Sequence, residues 1–266
     1  MKQRGAGLKR VLITNDDGIY AKGIEVLFFE LRKEFQVTVV APETEQSAVG
    51  HAITLMNPLR LKKINRNGEF FGYAINGTPA DCVKLAIKEL VKEPLDLVVS
   101  GINLGANVGI NVIYSGTVSA ATEGTMMGVP SIAVSIDTFK DPDFRPAAKV
   151  ARQIARMVIE KGLPDNTSLN VNVPAVPYEE IKGFAITKQG TSRFHEKFDR
   201  RLDPRNNVYY WLCGATWDRN TDMGTDAGAL ARKYVSITPI THDLTNYKAM
   251  DVLKRWDLSN LVEENK

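Results

Sequence analysis

Two adjacent carboxylates, Asp16 and Asp17, follow the apolar run Val11-Leu12-Ile13 and stand directly before Gly18. Successive side chains of a strand point to opposite faces, so these two converge only if the backbone turns. Gly18 permits such a turn. Brought together, the two acids repel unless a cation lies between them or one takes up a proton. The same residues also read as an ordinary Asp-Gly turn leading into a helix. Taken alone, the stretch leaves both readings open.

Further groups with matching chemistry recur along the chain. Ser47 lies in the loop Glu43 to Gly50, which follows the apolar stretch Val37 to Val40 and Ala41-Pro42. By itself it is an ordinary surface hydroxyl. Gly101-Ile102-Asn103-Leu104-Gly105-Ala106-Asn107-Val108-Gly109 is the densest Gly/Asn segment. Its glycines let backbone approach a ligand, and the amides of Asn103 and Asn107 supply oxygen ligands or N–H donors. The segment lacks the Lys-Ser/Thr of a P-loop, and its glycines do not follow the dinucleotide spacing. Tyr114-Ser115-Gly116-Thr117 then opens a small-residue helix from Val118 to Met127. Ser115 or Thr117 can cap it, and its free N–H groups form an anion site.

Asp16, Asp17, Ser47 and Asn103 thus come from three successive strand ends, and all offer oxygen. No Cys or His has metal-site spacing. Two carboxylates plus neutral oxygens suit a hard divalent ion, Mg²⁺ or Mn²⁺. Such ions work on phosphates, which the helix start at Ser115, Gly116 and Thr117 is placed to hold.

The elements that must position these groups are those of an α/β fold. The buried strand at Val11 to Ile13 precedes an amphipathic helix from Ile24 to near Phe35, and a second strand follows at Val37 to Val40. That order implies a parallel pair with a right-handed crossover. Leu59 to Ile64 and Glu69 to Ile75 flank Asn67-Gly68 and form a hairpin. Thr78 as N-cap, Pro79 and Asp81 start a helix that runs to about Val91. Strands are expected at Leu95 to Ser100 and Val129 to Ile136, and an amphipathic helix from Arg145 to Lys161. Beyond Leu169 short strands (Leu169 to Val173, Phe184 to Thr187, Val208 to Leu212, Tyr234 to Thr238) alternate with polar turns. Ala227 to Lys233 intervenes before the last of them. The charged segment Arg193 to Arg205 is a protruding hairpin or a solvated loop. The expected architecture is a Rossmann-like, mostly parallel sheet with helices on both faces, over residues 1–168. A C-terminal β-rich extension with the hairpin and oligomer contacts covers residues 169–266.

The chain has 266 residues, 44% hydrophobic, enough for one large core. A net charge of +3 without long basic blocks points to neither a nucleic-acid polymer nor a membrane surface. Two cysteines cannot build a disulfide framework; Cys82, within a helix, reads as core, and a reducing cytosol suits both. No apolar run near Met1 suffices for a secretion signal, and none approaches the roughly 20 residues of a membrane span. A cytoplasmic protein is expected. His242 is given no catalytic role.

Thr14-Asn15-Asp16-Asp17-Gly18, Ala41-Pro42 with Ser47, Asn76-Gly77-Thr78-Pro79-Ala80-Asp81-Cys82, Ser100-Gly101-Ile102-Asn103 with Gly105 and Asn107, and Tyr114-Ser115-Gly116-Thr117 occur in that order. Together with Thr225-Asp226 and Ser236-Ile237-Thr238-Pro239, this series resembles the motifs of the SurE family of stationary-phase survival proteins, which are metal-dependent nucleoside monophosphate phosphatases. The resemblance implies Asp16, Asp17, Ser47 and Asn103 as ligands of one Mg²⁺ or Mn²⁺ per subunit. Asp16, Asp17 and Asn103 are then the catalytic set, and Asn107, Ser115, Gly116 and Thr117 the phosphate contacts. It also implies a homodimer or homotetramer with an exchangeable C-terminal extension. Thr117→Ala would on this view impair substrate handling and leave metal affinity nearly unchanged. Two other readings stand beside it. A haloacid-dehalogenase-like phosphatase needs its two aspartates separated by one residue, whereas here they adjoin. A nucleotide-binding regulatory module without turnover would not need the clustered hard ligands.

Overall fold

A computed structural model describes residues 7–218, 222–256 and 258, excepting the side chains of 193–196 and 214–218. The first six residues, on which part of the expectation about the N-terminus rests, lie outside these. The chain runs β1 (Arg10–Thr14), α1 (Lys22–Leu31), β2 (Gln36–Pro42), β3 (Leu61–Arg66), β4 (Glu69–Ile75) and α2 (Pro79–Leu85). It continues with β5 (Leu97–Leu104), α3 (Gly116–Met126), β6 (Ser131–Ile136), α4 (Arg145–Lys161) and β7 (Thr167–Val173). The last part holds β8 (Gly183–Ile186), β9 (Arg193–Leu202), β10 (Val208–Asp218), α5 (Asp226–Ala231), β11 (Tyr234–Thr241) and α6 (Tyr247–Leu253).

Nine strands form one sheet in the order β3-β4-β2-β1-β5-β6-β7-β11-β8. The central strands are parallel, and β3 and β11 run antiparallel to β4 and β7. Strand alternation sends Val11 and Ile13 to one face, where they meet Ile24 and Leu27 of α1 and Ala147, Ala151 and Ile154 of α4. Leu12 and Val98 point the other way, against Cys82 and Val83 of α2 and Ala120 of α3. Both faces are therefore covered, as a parallel sheet requires. The Rossmann-like expectation holds.

Local sequence signals explain most element boundaries. Thr78 Oγ1 accepts from the Asp81 N–H at 3.1 Å while the Asp81 carboxylate accepts from the Thr78 N–H at 2.9 Å, a full capping box. Asn67 and Gly68 both take positive φ, 50° and 81°, as the tight turn between β3 and β4 demands. Gly162, at φ 74°, ends α4.

The elements differ from or add to the expectation at several points. The strand expected to stop at Ser100 runs on to Leu104. Its pairing with β6 breaks after Ser100 and resumes at Asn103↔Ser135, so Asn103 follows a bulge in a strand rather than sitting in a loop. The helix begun at Pro79 changes to one π-helical turn at Ala86–Leu90. A helix at Tyr247–Leu253, capped by Asn246, had no counterpart in the sequence reading. The division expected at 168/169 falls inside β7, which pairs with β6 through Ser131↔Ser168 and Ile132↔Leu169. Residues beyond 169 thus supply strands to the same sheet. The charged segment is a hairpin strand: β9 pairs antiparallel with β10 in a separate two-stranded sheet. Among the described residues no helix is long and apolar enough to cross a membrane.

Candidate active site

The sheet changes direction of travel between β1 and β5. From β1 the chain crosses to β2 on one side, while β5 lies on the other. Ligands of open α/β sheets bind beyond the carboxyl ends of the strands at such a point. Here the crevice has a volume of about 630 Å³. Asp16 and Asp17 line it with Glu45 and Ser47 from the loop after β2, Asn103 and Asn107 from the Gly/Asn segment, and Ser115 at the start of α3; Tyr114, Phe139 and Leu212 add apolar surface.

The acids reach this point because the chain leaves β1 in a turn. Asn15 Nδ2 donates to the Gly18 carbonyl at 2.9 Å, and the Ile19 N–H to Pro42 at 2.8 Å. Gly18 has φ 92°, where a side chain would be strained. Asp16 is 6% exposed, and burial raises its carboxyl pKa despite hydrogen bonds from Thr117. Asp17 is pushed up to about 7, first by burial and then by the neighbouring charges of Asp16 and Glu45. The Leu104 N–H, 3.4 Å from Asp17 Oδ2, opposes this without offsetting it. Three carboxylates therefore face the crevice, and among the described residues no Lys or Arg lines it.

The neutral oxygens are held with their acceptor atoms available. Ser47 gives its proton to Glu45 Oε1 at 2.5 Å, leaving its lone pairs. Asn103 spends its Nδ2 on the Gly105 carbonyl at 2.7 Å, leaving Oδ1. Asn107 is pinned from β7: its N–H donates to Asn172 Oδ1 at 2.8 Å, and its carbonyl accepts from Asn170 and Asn172. Its own Nδ2 donates to Ser135 Oγ at 2.8 Å. Further along, the Gly109 N–H donates to Asp226 Oδ2 at 2.8 Å, while Asp226 Oδ1 accepts from Gly190 and Ala227. Asp226, fully buried, thus fastens the Gly/Asn segment to the C-terminal third of the chain.

The start of α3 differs in role from the sequence expectation. Ser115 is the N-cap, its Oγ accepting from the Val118 N–H at 3.1 Å. Thr117 is fully buried and does not line the crevice. Its hydroxyl donates to Asp16 Oδ1 at 2.5 Å, and its backbone N–H also bonds the Asp16 carboxylate. Gly116 permits this approach, since a Cβ there would stand 2.8 Å from the Cβ of Asp16. The helix start therefore holds an acid in place, so a change at Thr117 reaches Asp16 directly. Loss of a partner that orients a ligand typically costs 10–100-fold in metal affinity. Thr117→Ala is expected to weaken Mn²⁺ binding by about that factor in calorimetry, and Thr117→Ser to restore most of it. Unchanged Mn²⁺ affinity in the Ala variant would show that the hydroxyl does not hold the acid.

Deeper along α3, Glu123 is 2% exposed and accepts from His51 Nε2 at 2.8 Å and Lys84 Nζ at 2.5 Å. It ties the Ser47 loop to α3 and α2, beside the bond from Gly50 N–H to the Tyr114 carbonyl at 3.0 Å. Burial pushes its pKa up, but the bonds from His51 and Lys84 outweigh this and hold it below 4.5. A depressed carboxylate stabilises the fold above its ordinary range, and that contribution is lost as pH falls through the lowered value. Glu123→Gln is expected to cost about 1–2 kcal/mol at neutral pH, because both partners stay partly solvated. In chemical denaturation the gap from wild type should narrow as pH drops below about 4.5. A gap that stays constant to pH 3 would count against the ion pairs.

Among the described residues no group of three or more His, Cys, Asp or Glu side chains is placed to hold a metal. The donor set is instead two carboxylates supplemented by Ser and Asn oxygens, which fits a hard divalent ion and not structural zinc. The burial of Asp16 and Asp17 without a basic partner among the described residues fits the same ion, whose charge would stabilise both ionised carboxylates. All four expected ligands line one crevice, with Asn107 and Ser115, while Gly116 and Thr117 adjoin Asp16. Sequence reasoning missed Glu45, Asn111, Phe139 and Leu212 in the lining. Only Glu45, two residues before Ser47, carried a local signal.

Fold and site together define a doubly wound α/β protein with an acidic, oxygen-donor crevice at its switch point. The family model described as "Survival protein SurE" matches residues 11–196. A protein of Syntrophobacter fumaroxidans named "5'-nucleotidase SurE" is 58% identical over 249 residues, covering 94% of this chain and 100% of its own. One of the same name from Syntrophus aciditrophicus is 56% identical, over 92% of each chain. The crystal structure of the SurE protein from Aquifex aeolicus superposes with a TM-score of 0.81 at 41% identity, covering 92% of this chain and 98% of that one. The chain belongs to the SurE family.

Proposed function

We propose that Asp16, Asp17, Ser47 and Asn103 hold one Mg²⁺ or Mn²⁺ ion, with Asp16, Asp17 and Asn103 as the catalytic set. The chain is a metal-dependent phosphomonoesterase acting on nucleoside monophosphates. The observation that carries the site is a crevice faced by three carboxylates and, among the described residues, by no Lys or Arg. Such a surface repels a phosphate dianion unless a cation intervenes. When bound, the ion neutralises the paired acids and draws charge from the phosphoryl oxygens.

The chain's own residues do the rest. Thr117 fixes Asp16, and the Leu104 N–H meets Asp17. Ser115 and the backbone of Gly116 at the start of α3, with Asn107 of the Gly/Asn segment, take the remaining phosphate oxygens. Overall, the ester P–O bond breaks, the water oxygen ends on phosphorus, and the nucleoside leaves with its hydroxyl protonated. The adjacent aspartates and the family membership leave no support for a haloacid-dehalogenase-like enzyme or a non-catalytic module.

The exposed apolar residues of the hairpin and α6, among them Phe198, Tyr210, Trp211, Tyr247 and Val252, support a second copy of the chain as partner, in a homodimer or homotetramer. Phosphate release from adenosine 5′-monophosphate is the direct test. EDTA treatment should abolish it, and Mn²⁺ or Mg²⁺ should restore it. Full activity of the metal-stripped protein in excess chelator would refute the metal site.

A further inference from the structure

The crevice exceeds what a phosphate group and one ion require. Its 630 Å³ lies within the roughly 300–1,000 Å³ of pockets that take whole small molecules. Beyond the acids, its wall carries two aromatic side chains open to solvent, Phe139 at 66% and Tyr114 at 58% exposure. Neither makes a ring–ring contact within the described residues.

Phe139 is held in this exposed place by its surroundings. It belongs to a tight turn after β6: the Thr138 N–H donates to Ile136 at 2.8 Å, and the Lys140 N–H to Thr138 Oγ1 at 3.1 Å. The ring edge packs on Gly105, where an added Cβ would stand 2.5 Å from Phe139 Cε1. Gly105 has φ 107° and its N–H donates to the Ile136 carbonyl at 3.0 Å, so the two loops form one unit. The fold therefore clears a position beside Asn103 for the ring and leaves much of it uncovered.

A large, solvent-facing ring in the lining of a substrate crevice calls for a flat apolar partner. Of the parts of a nucleoside monophosphate, only the base is one. We propose that Phe139 is the stacking platform for the nucleobase, with Tyr114 as the second aromatic wall. This rests on the nucleotide phosphatase reading and adds the group that separates nucleotides from other phosphate esters. Stacking tolerates any base because each presents a π-face. The platform therefore sets a preference for nucleotides over base-free esters and ranks the larger purines first.

The test compares adenosine 5′-monophosphate with ribose 5-phosphate, which lacks the base. Phe139→Ala is expected to lower kcat/KM for the nucleotide about tenfold more than for the sugar phosphate. The loss should lie mainly in KM. Phe139→Tyr should retain the preference, whereas Phe139→Leu, apolar without a π-face, should not. An unchanged ratio of the two substrates in Phe139→Ala, or equal loss on both, overturns the proposal. Failure of the phosphatase reading would look different, with the wild type releasing phosphate from neither ester. In that event Phe139→Trp still decides, read as the difference from the wild type with its three tryptophans: added quenching by adenosine 5′-monophosphate but not by ribose 5-phosphate upholds the platform, and no added quenching or equal responses overturn it.

Discussion

Replacing Asp17 by Asn is expected to cut Mn²⁺ affinity by more than about 100-fold and to remove nearly all turnover. That floor comes from residues that merely orient ligands, whose loss typically costs 10–100-fold; a direct carboxylate ligand should cost more. The change preserves side-chain size, so packing around the turn should survive. Stability should even rise slightly without metal, since Asp17 carries a carboxyl pushed up to about 7 by burial and by Asp16. A carboxyl raised in the fold costs stability as pH climbs through that range, and an amide does not. Calorimetry with Mn²⁺, thermal unfolding in EDTA and phosphate release would read the three effects separately. Normal metal affinity in Asp17→Asn would return the paired acids to the status of an ordinary turn.

Gly116→Ala sets two effects against each other. Alanine is the better helix former by about 1 kcal/mol in a helix interior, so helix propensity alone favours the variant. The added Cβ, however, would stand 2.8 Å from Asp16 Cβ, 3.0 Å from Asp16 Oδ2 and 3.2 Å from Pro79 Cγ. Neither neighbour can yield easily. Asp16 is tied by Thr117 and by its carbonyl, which accepts from Gln46 at 2.7 Å, and Pro79 starts α2. Overpacking of this kind costs about 1–3 kcal/mol, which outweighs the propensity gain. The displaced carboxylate should also lower Mn²⁺ affinity at least tenfold, with turnover falling in step. Wild-type stability and metal binding together would mean that α3 and the acid turn are not in register as described.

The acid turn was legible because its signals are local. A β-branched run, two acids and a glycine specify a strand end and a turn through steric limits that act within a few residues. The capping box at Thr78 and Asp81 and the Asn67-Gly68 turn are of the same kind. Asn103 was found for its residue type, but its setting was not. The bulge between Ser100 and Asn103 exists only because β6 pairs again beyond it.

The amino-acid sequence by itself determined the α/β class, the central strands and the identity of the oxygen donors. Hydrophobic periodicity and turn chemistry are properties of contiguous residues, and the motif series lay in order along the chain. Only the tertiary structure decided what those donors lean on. Thr117 reaches back 101 residues to Asp16, Asp226 reaches 117 to Gly109, and Asn172 reaches 65 to Asn107. It also decided that residues beyond 169 complete the sheet and that Phe139 stands in the crevice wall. The physical reason is that a carboxylate–hydroxyl bond or a ring on a glycine is set by the packing of whole elements. No spacing along the chain encodes which buried partner a side chain will meet.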